Sequence, residues 1–309
     1  MALLFIAPDR NPDPWKEAFD KVDSNLDLFF WPAIDQHKKI NFIVCWNHPA
    51  RLLDRFPNLQ AVASLGAGVD HILADECLPD HVQICRTLTP RLIQEMVDYV
   101  RTSLLMHQRN ITFYLQQKRQ ARWKHRKNRI ASDLEVGVMG LGTIGRKVAL
   151  ELGNEGYNVR GWSRSSKQIK KVSTFAGNKE KASFLEGLDA LICLLPLTSE
   201  TRGILDLEVF KQLKNDAILI NIARGSHLVE EDLVYALDKG LLEWAMLDVF
   251  QKEPLPDHHS FWNRPEIVIT PHIAGITPPE EAAEVIIENY KRAISGMDLK
   301  YTVQRDKGY

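Results

Sequence analysis

Nowhere in these 309 residues do two cysteines stand close enough in sequence to make a metal-binding or redox pair. Cys45, Cys77, Cys85 and Cys193 are scattered among mostly apolar neighbours. That reads as buried free thiols in a reducing compartment, not as a disulfide framework. Net charge is nearly absent as well: 39 Lys and Arg face 40 Asp and Glu, leaving −1. So balanced a chain has no global field to draw in nucleic acid or an anionic membrane surface. No apolar run approaches the ~18 residues of a membrane-crossing helix. The opening MALLFIAPDRNPDPW lacks the basic flank and small-residue cleavage site of a signal peptide, and reads as a first strand. A cytoplasmic protein is expected. Internal repeats and low-complexity segments are missing too.

What is present is ordinary globular material, 45% hydrophobic and 26% charged, in a length that suits two domains. Through the first hundred residues short apolar runs (LLFIA, LDLFFW, FIVCW, LQAVASLG, VQICR) alternate with helix-like stretches, as in a parallel sheet with covering helices. An amphipathic stretch from Leu92 to Arg122 reads as one long helix, with Met96, Val100 and Leu104 at burying positions. KRQARWKHRKNR (118–129) follows as a connection. Six regular strand-like runs come next: LEVGVMG, YNVRGWS, DALICLLPL, AILINIA, WAMLDVF and EIVITPH. With helices between most of them, these describe a doubly wound sheet. Pro278 and Pro279 open a last helix whose Val285, Ile286 and Tyr290 make an apolar face that packs back on the first domain. The fold class expected is α/β: two Rossmann/flavodoxin-like doubly wound parallel-sheet domains with a cleft between them. Residues 1–97 and 279–309 form a substrate-binding domain, and 98–278 form a dinucleotide-binding domain inserted in it.

GLGTIG places Gly140, Gly142 and Gly145 between a buried strand pattern and a stretch in which Ile144, Val148 and Leu152 fall at helical spacing. In that setting GxGxxG is a phosphate-binding turn: Gly140 for the tight turn, Gly142 for close approach to a pyrophosphate, Gly145 for helix–strand packing. Thr143 and Ile144 open the helix, whose free N–H groups face the phosphates. About 18 positions after Gly145, near the ~20 at which a ribose-binding carboxylate is expected, the chain has no acid. GWSRSSK offers Ser163, Arg164, Ser165 and Lys167 instead. A carboxylate would repel a 2′-phosphate, whereas Arg164 bonds one bidentately and Lys167 adds a point charge. The pattern favours NADP(H), with NAD(H) as the lesser cofactor. The competing account makes Arg164 and Lys167 solvated surface cations.

Three later strand ends carry polar residues: Arg224 in NIARGS, Asp248 and Glu253 in LDVFQKEPLP, and His272 in ITPHIAG. A cation can hold a substrate carboxylate, and an imidazole with a carboxylate beside it can move a proton near neutral pH. Singly, each has a bland explanation: a surface ion-pair partner, a loop charge, a satisfied buried histidine. NIARG, AMLDVFQKEPLP and TPHIAG together resemble the D-2-hydroxyacid dehydrogenase family. SLGAGVD (64–70), LLPLTSETRGIL (194–205) and the terminal RDKGY resemble the bacterial reductases of glyoxylate and hydroxypyruvate within it, over nearly the whole chain.

The resemblance implies NADPH-dependent reduction of small 2-oxo acids, glyoxylate to glycolate and hydroxypyruvate to D-glycerate. Arg224 would bind the carboxylate and carbonyl oxygen. His272 would protonate that oxygen as hydride arrives, with Glu253 keeping it protonated. Backbone N–H groups around Leu65, Gly66, Ala67 and Gly68 would hold the carboxylate. Asp248 and the Ile222 carbonyl would meet the nicotinamide amide, and Leu195 and Pro196 would line the dinucleotide. Trp46 is placed beside the substrate, with plain packing as the alternative. NAD-linked family members usually carry an acid where this chain has Ser163 and Arg164, which puts NAD in doubt rather than the reaction. The family also implies a homodimer built near the long helix, with Trp123 against the partner. Two readings stay open: a dehydrogenase for a bulkier acid such as phenylpyruvate or a branched 2-oxo acid, and a nucleotide-sensing, corepressor-like binding protein. The seven basic residues of 118–129 read as a solvated interdomain segment, not a nucleic-acid site. His258 and His259 read as an exposed loop with no metal. His227, at the start of a helix, reads as a cap or a surface residue.

Overall fold

The computed structural model describes residues 1–308; Tyr309, the end of RDKGY, lies outside the described residues. Two compact units are formed, one from Met1–Leu92 with the segment from Ile276 on, the other from Ile93–Gly275.

The first unit runs β1 (Ala2–Ile6), α1 (Asp13–Val22), β2 (Leu28–Phe30), β3 (Ile40–Cys45), β4 (Ala61–Ser64), α2 (Asp70–Leu73) and β5 (Gln83–Arg86). Its five strands are all parallel in the order β2-β1-β3-β4-β5, the flavodoxin-like order. Every residue of β1, β3 and β4 is buried, because a parallel sheet covered on both faces leaves no face for water. On one face Phe5, Phe42 and Val44 meet Trp15, Ala18 and Phe19 of α1. On the other, Leu4, Ile43 and Val62 meet Leu53, Phe56 and Ile72.

The second unit takes most of α3 (Pro90–Gln108), where Thr89 Oγ1 accepts the Leu92 N–H at 3.2 Å ahead of a proline-led first turn. It continues through α4 (Ile111–Arg119), β6 (Glu135–Met139), α5 (Thr143–Asn154), β7 (Asn158–Ser163), β8 (Val172–Ala176), α6 (Lys181–Leu185) and β9 (Ala190–Cys193). It ends with α7 (Leu207–Phe210), β10 (Ala217–Asn221), α8 (Glu230–Asp238), β11 (Leu242–Leu247) and β12 (Ile267–Ile269). The seven parallel strands run β12-β11-β10-β9-β6-β7-β8, the Rossmann order with one strand added. The chain then returns to the first unit as α9 (Pro279–Ile294), which packs on α1, β3 and β4.

Four expectations need correction. The stretch from Leu92 to Arg122 is two helices, broken where Asn110 turns left-handed at φ 54°. Asparagine tolerates that conformation, and its side chain is used: Nδ2 donates to the Lys127 carbonyl at 3.0 Å and Oδ1 accepts from Arg129 at 2.9 Å. The basic segment is therefore more than a solvated connection. Arg126 and Arg129 both pair with Glu243 in β11. Beside them burial, reinforced by these two cations, pushes the His107 imidazole down to about 3. Strand β8 was not expected; it is short and only half buried, so its apolar signal is weak. On α9 the buried face is Ala282, Ala283, Ile286, Ile287 and Tyr290, with Val285 at its margin.

The turn between β6 and α5 shows why its glycines differ. Gly140 lies at φ +102°, and a Cβ there would meet the Leu194 carbonyl oxygen at 2.6 Å. A Cβ on Gly145 would lie 1.8 Å from the Gly140 oxygen, so helix and strand touch backbone to backbone. A Cβ on Gly142 would meet nothing within 4 Å. Gly145→Ala should therefore cost about 1–3 kcal/mol of stability, and Gly142→Ala less than about 0.5 kcal/mol. Thermal unfolding of the two variants checks this, and equal midpoints would discard the packing argument.

Candidate functional site

In each unit the loops at the carboxyl ends of the strands carry polar side chains that parallel-sheet packing cannot house. In the second unit the glycine turn follows β6. Gly142 precedes α5, whose start has no side-chain cap, so its first-turn N–H groups and positive dipole end can receive an anion. Thr143 is exposed, Ile144 half-buried and Gly145 buried. At the end of β7 the Ser163 side chain is turned inward and donates to the Ser165 carbonyl at 2.8 Å. Arg164, Ser165, Ser166 and Lys167 are exposed on the turn so formed. After β9, Leu195 is buried and Pro196 half-buried.

The end of β10 is tightly specified. Asn221 is fully buried; its Nδ2 donates to the Arg224 carbonyl at 3.1 Å and its Oδ1 accepts the Ala223 N–H at 3.2 Å. Arg224 Nη1 donates to the Ala223 carbonyl at 2.7 Å, folding the guanidinium against its own loop. Ile222 is buried beside it. A Cβ on Gly225 would fall 1.9 Å from the Phe250 carbonyl carbon. The arginine loop thus lies directly on the peptide that leads to Glu253.

Asp248, at the end of β11, is buried and accepts three hydrogen bonds: from Thr270 Oγ1 at 2.6 Å, and from the Ile273 and Ala274 N–H groups at 2.8 Å each. Burial raises its carboxyl above the ordinary value despite these donors. Because Thr270 donates to Asp248, the Tyr99 hydroxyl, 2.5 Å away, must donate to Thr270. Burial pushes that phenol up. The anchored turn carries His272 at φ 54°, a left-handed conformation that costs most residues with a Cβ more than it costs asparagine. His272 Nδ1 lies 2.7 Å from Glu253 Oε2, and the other Glu253 oxygen accepts the Phe250 N–H at 2.9 Å. Burial would raise the Glu253 carboxyl, but the His272 and Phe250 hydrogen bonds and the charges of His272 and Arg224 hold it below its ordinary value. A carboxyl lowered by folding favours the folded chain above its unfolded range, and that contribution fades as pH falls through the lowered value.

In the first unit Trp46 follows β3. Its N–H donates to the Ile6 carbonyl at 2.9 Å, and its ring lies 4.9 Å from that of His71, with the Arg10 guanidinium 5.6 Å from its centroid. A Cβ on Gly66 would lie 3.2 Å from the indole. In the loop after β4 the Leu65 N–H is spent on the Cys45 carbonyl, and the Gly66 N–H faces Ser64 Oγ at 3.3 Å. The N–H groups of Ala67 and Gly68 have no partner among the described residues.

Sequence reasoning missed Asn221, Tyr99 and Thr270. Asn221 had a signal, a lone amide ending an apolar strand; Tyr99 sits on a helix face with nothing to mark it. His227 is a cap, as one reading had it, but it is fully buried and not on the surface. His258 is exposed, while His259 is half-buried against Glu230 at 3.2 Å. Among the described residues no group of three or more His, Cys, Asp or Glu side chains is placed to hold a metal ion, and no helix is long and apolar enough to cross a membrane.

The family model for "D-isomer specific 2-hydroxyacid dehydrogenase, NAD binding domain" matches residues 102–274. A protein of Photorhabdus laumondii named glyoxylate/hydroxypyruvate reductase A is 40% identical over 301 residues, 96% of each chain. A D-isomer specific 2-hydroxyacid dehydrogenase of Xanthobacter autotrophicus Py2, solved with NADPH and MES, superposes at a TM-score of 0.95 with 37% identity, covering 100% of this chain and 99% of that one. The NADPH-dependent glyoxylate/hydroxypyruvate reductase of Sinorhizobium meliloti, solved with NADP and sulfate, gives 0.92 with 32% identity over 100% of both chains. With its parallel sheets, its glycine turn and its Arg–Glu–His strand ends, this chain belongs to the D-isomer specific 2-hydroxyacid dehydrogenase family and is an NAD(P)-dependent 2-hydroxyacid dehydrogenase.

Proposed function

We propose that the protein reduces small 2-oxo acids, glyoxylate and hydroxypyruvate, with NADPH. The observation that carries this reading is the His272–Glu253 pair at 2.7 Å, with the Arg224 charge acting on the same carboxylate. The second unit serves as the dinucleotide domain and the first as the substrate domain. Relatives bearing the name glyoxylate/hydroxypyruvate reductase and neighbours solved with NADPH or NADP support both the substrates and the cofactor.

The residues fit a dinucleotide. Gly142 has no packing reason of its own to be glycine, which suits close approach of a pyrophosphate to the start of α5. Leu195 and Pro196 line the same edge, and Asp248 with the Ile222 carbonyl faces the nicotinamide amide. Arg164, Ser165 and Lys167 take the 2′-phosphate, by a hydroxyl and charge-assisted contacts, on the turn that the Ser163 hydrogen bond shapes. When bound, NADPH supplies the hydride that converts R–CO–COO⁻ to the 2-hydroxy acid. The protein's own residues do the rest. Ala67 and Gly68 offer N–H groups to the substrate carboxylate, and Trp46 bounds the acid's small substituent. Arg224 holds the carboxylate and the carbonyl oxygen. His272 gives its Nε2 proton to that oxygen while Glu253 holds Nδ1, so positive charge stands where the alkoxide develops. Free cysteines suit a cytoplasmic setting.

The enzyme is a homodimer in this reading. Leu105, Ile111, Leu115 and Ile130 are exposed apolar residues on or beside α3 and α4, and Trp123 is 92% exposed in the segment that follows. These exposed apolar residues support an interaction face in this part of the chain.

Three outcomes are expected. Arg164→Ala should lower kcat/KM with NADPH roughly ten- to hundredfold and leave NADH nearly unchanged; equal losses with both cofactors in steady-state assays would remove the 2′-phosphate assignment. His272→Ala should lower kcat about 10²–10⁴-fold, whereas turnover of glyoxylate at the wild-type rate would end the general-acid role. Replacing Leu115 and Trp123 by Asp should give monomers at micromolar concentration in sedimentation runs, and a wild-type protein that already sediments as a monomer would refute the dimer.

A further inference from the structure

His227 is a buried histidine that the proposed chemistry does not use. It is fully buried in the turn after Arg224, and its ring touches two loops that the reading above gives to different ligands. Nδ1 lies 3.2 Å from the Arg224 backbone nitrogen, whose N–H points at it, and 3.1 Å from the Arg224 carbonyl oxygen. That carbonyl already accepts from Asn221 Nδ2 at 3.1 Å and from the His227 N–H at 3.2 Å. Nδ1 is therefore the acceptor of the Arg224 N–H, and the ring hydrogen resides on Nε2. Nε2 lies 3.2 Å from the Pro196 carbonyl, to which it donates alongside the Thr201 hydroxyl at 2.7 Å. Main-chain bonds run parallel to the ring: the Gly203 N–H to the Ser226 carbonyl and the Leu205 N–H to the His227 carbonyl, 2.9 Å each.

We propose that His227 is a positioning residue that couples the two halves of the site, fixing the Arg224 main chain through Nδ1 and the Pro196 carbonyl through Nε2. This rests on the assignment of Arg224 to the 2-oxo acid and of Pro196 to the dinucleotide. The ring works as a neutral strut. Each nitrogen meets a group of opposite hydrogen-bonding character, so one tautomer satisfies both ends, and no other neutral form does. Backbone bonds hold the two segments side by side, and the ring adds contacts at the Arg224 N–H and the Pro196 oxygen. Those two groups set where a guanidinium starts and where a dinucleotide-contacting turn bends.

Two variants divide the ring into its halves. Asn places an amide near the Nδ1 position and nothing at Nε2; Gln places its amide near Nε2 and takes the Nδ1 acceptor away from the Arg224 N–H. His227→Asn should weaken NADPH binding, read by the fluorescence of the bound dinucleotide, several-fold while the KM for glyoxylate stays within about twofold. His227→Gln should do the reverse, raising the KM for glyoxylate roughly tenfold with the NADPH dissociation constant little changed, since taking an acceptor from a buried donor costs on that scale. His227→Phe should show both losses. Equal losses of both parameters in Asn and Gln variants, or a lowered thermal midpoint in all three with both constants unchanged, would overturn the proposal and leave His227 a packing residue. Should the wild type bind NADPH yet reduce neither glyoxylate nor hydroxypyruvate, the substrate assignment fails by itself. The His227 proposal is then decided by the NADPH arm together with competitive binding of oxalate, which presents the same paired-oxygen edge.

Discussion

Where His272 can stand is decided by one buried carboxylate. Among the described residues no basic side chain is bonded to Asp248; a threonine hydroxyl and two backbone N–H groups solvate it instead. A buried anion so held is costly to disturb, because any movement of the Thr270–Ala274 turn strips it of donors it cannot replace from water. The His272 N–H closes the same turn on the Asp248 carbonyl at 2.8 Å. The turn cannot relax the left-handed His272 without breaking these bonds, so the strain is kept. The imidazole is thereby aimed by its main chain as well as by Glu253. Raising of the Asp248 pKa by burial and lowering of the Glu253 pKa by its donors follow from the same layout. One carboxylate is deep and holds the turn, while the other is nearer the surface of the loop and pairs with the histidine.

The arginine is controlled by the same means from the neighbouring strand. Asn221 and Gly225 fix its backbone on opposite sides, the first by paired amide bonds and the second by leaving no volume for a side chain. Because Gly225 rests on the Phe250 peptide and the Phe250 N–H binds Glu253, Arg224 and His272 are linked through a path of direct contacts. Rigid placement of both side chains before substrate arrives is what the proposed stabilisation of an alkoxide would require.

Much of this was legible in the amino-acid sequence, because parallel sheets advertise themselves. Buried strands are continuous apolar runs, and all eleven that the pattern marked are strands. Their polar ends, Arg224, Asp248 and His272, stood out against them. Glu253 was found by its place in a motif, not by any period. What stayed hidden depends on side chains meeting across the fold. Tyr99 reaches Thr270 over 171 positions, and no local rule links a helix tyrosine to that turn. The break at Asn110 was missed because the apolar spacing continues across it, and only the distant Lys127 and Arg129 make the left-handed turn worthwhile. β8 escaped because an edge strand needs less apolar material than a central one.

If the end of β7 receives the 2′-phosphate as proposed, cofactor choice rests there on conformation as well as charge. Ser163 spends its hydroxyl hydrogen on the Ser165 carbonyl, and that bond shapes the turn on which Arg164 and Lys167 are displayed. An Asp or Glu at this position would bring a second acceptor against the Ser165 oxygen. The turn would have to open to relieve that repulsion, and in opening it would redirect the exposed cations. A change toward an NAD-type acid therefore alters two things at once: it adds a charge that repels a 2′-phosphate, and it removes the donor that holds the present loop. Neutral Ser163 is thus not merely an acid that is missing. It is the hydrogen-bond donor on which this version of the loop is built.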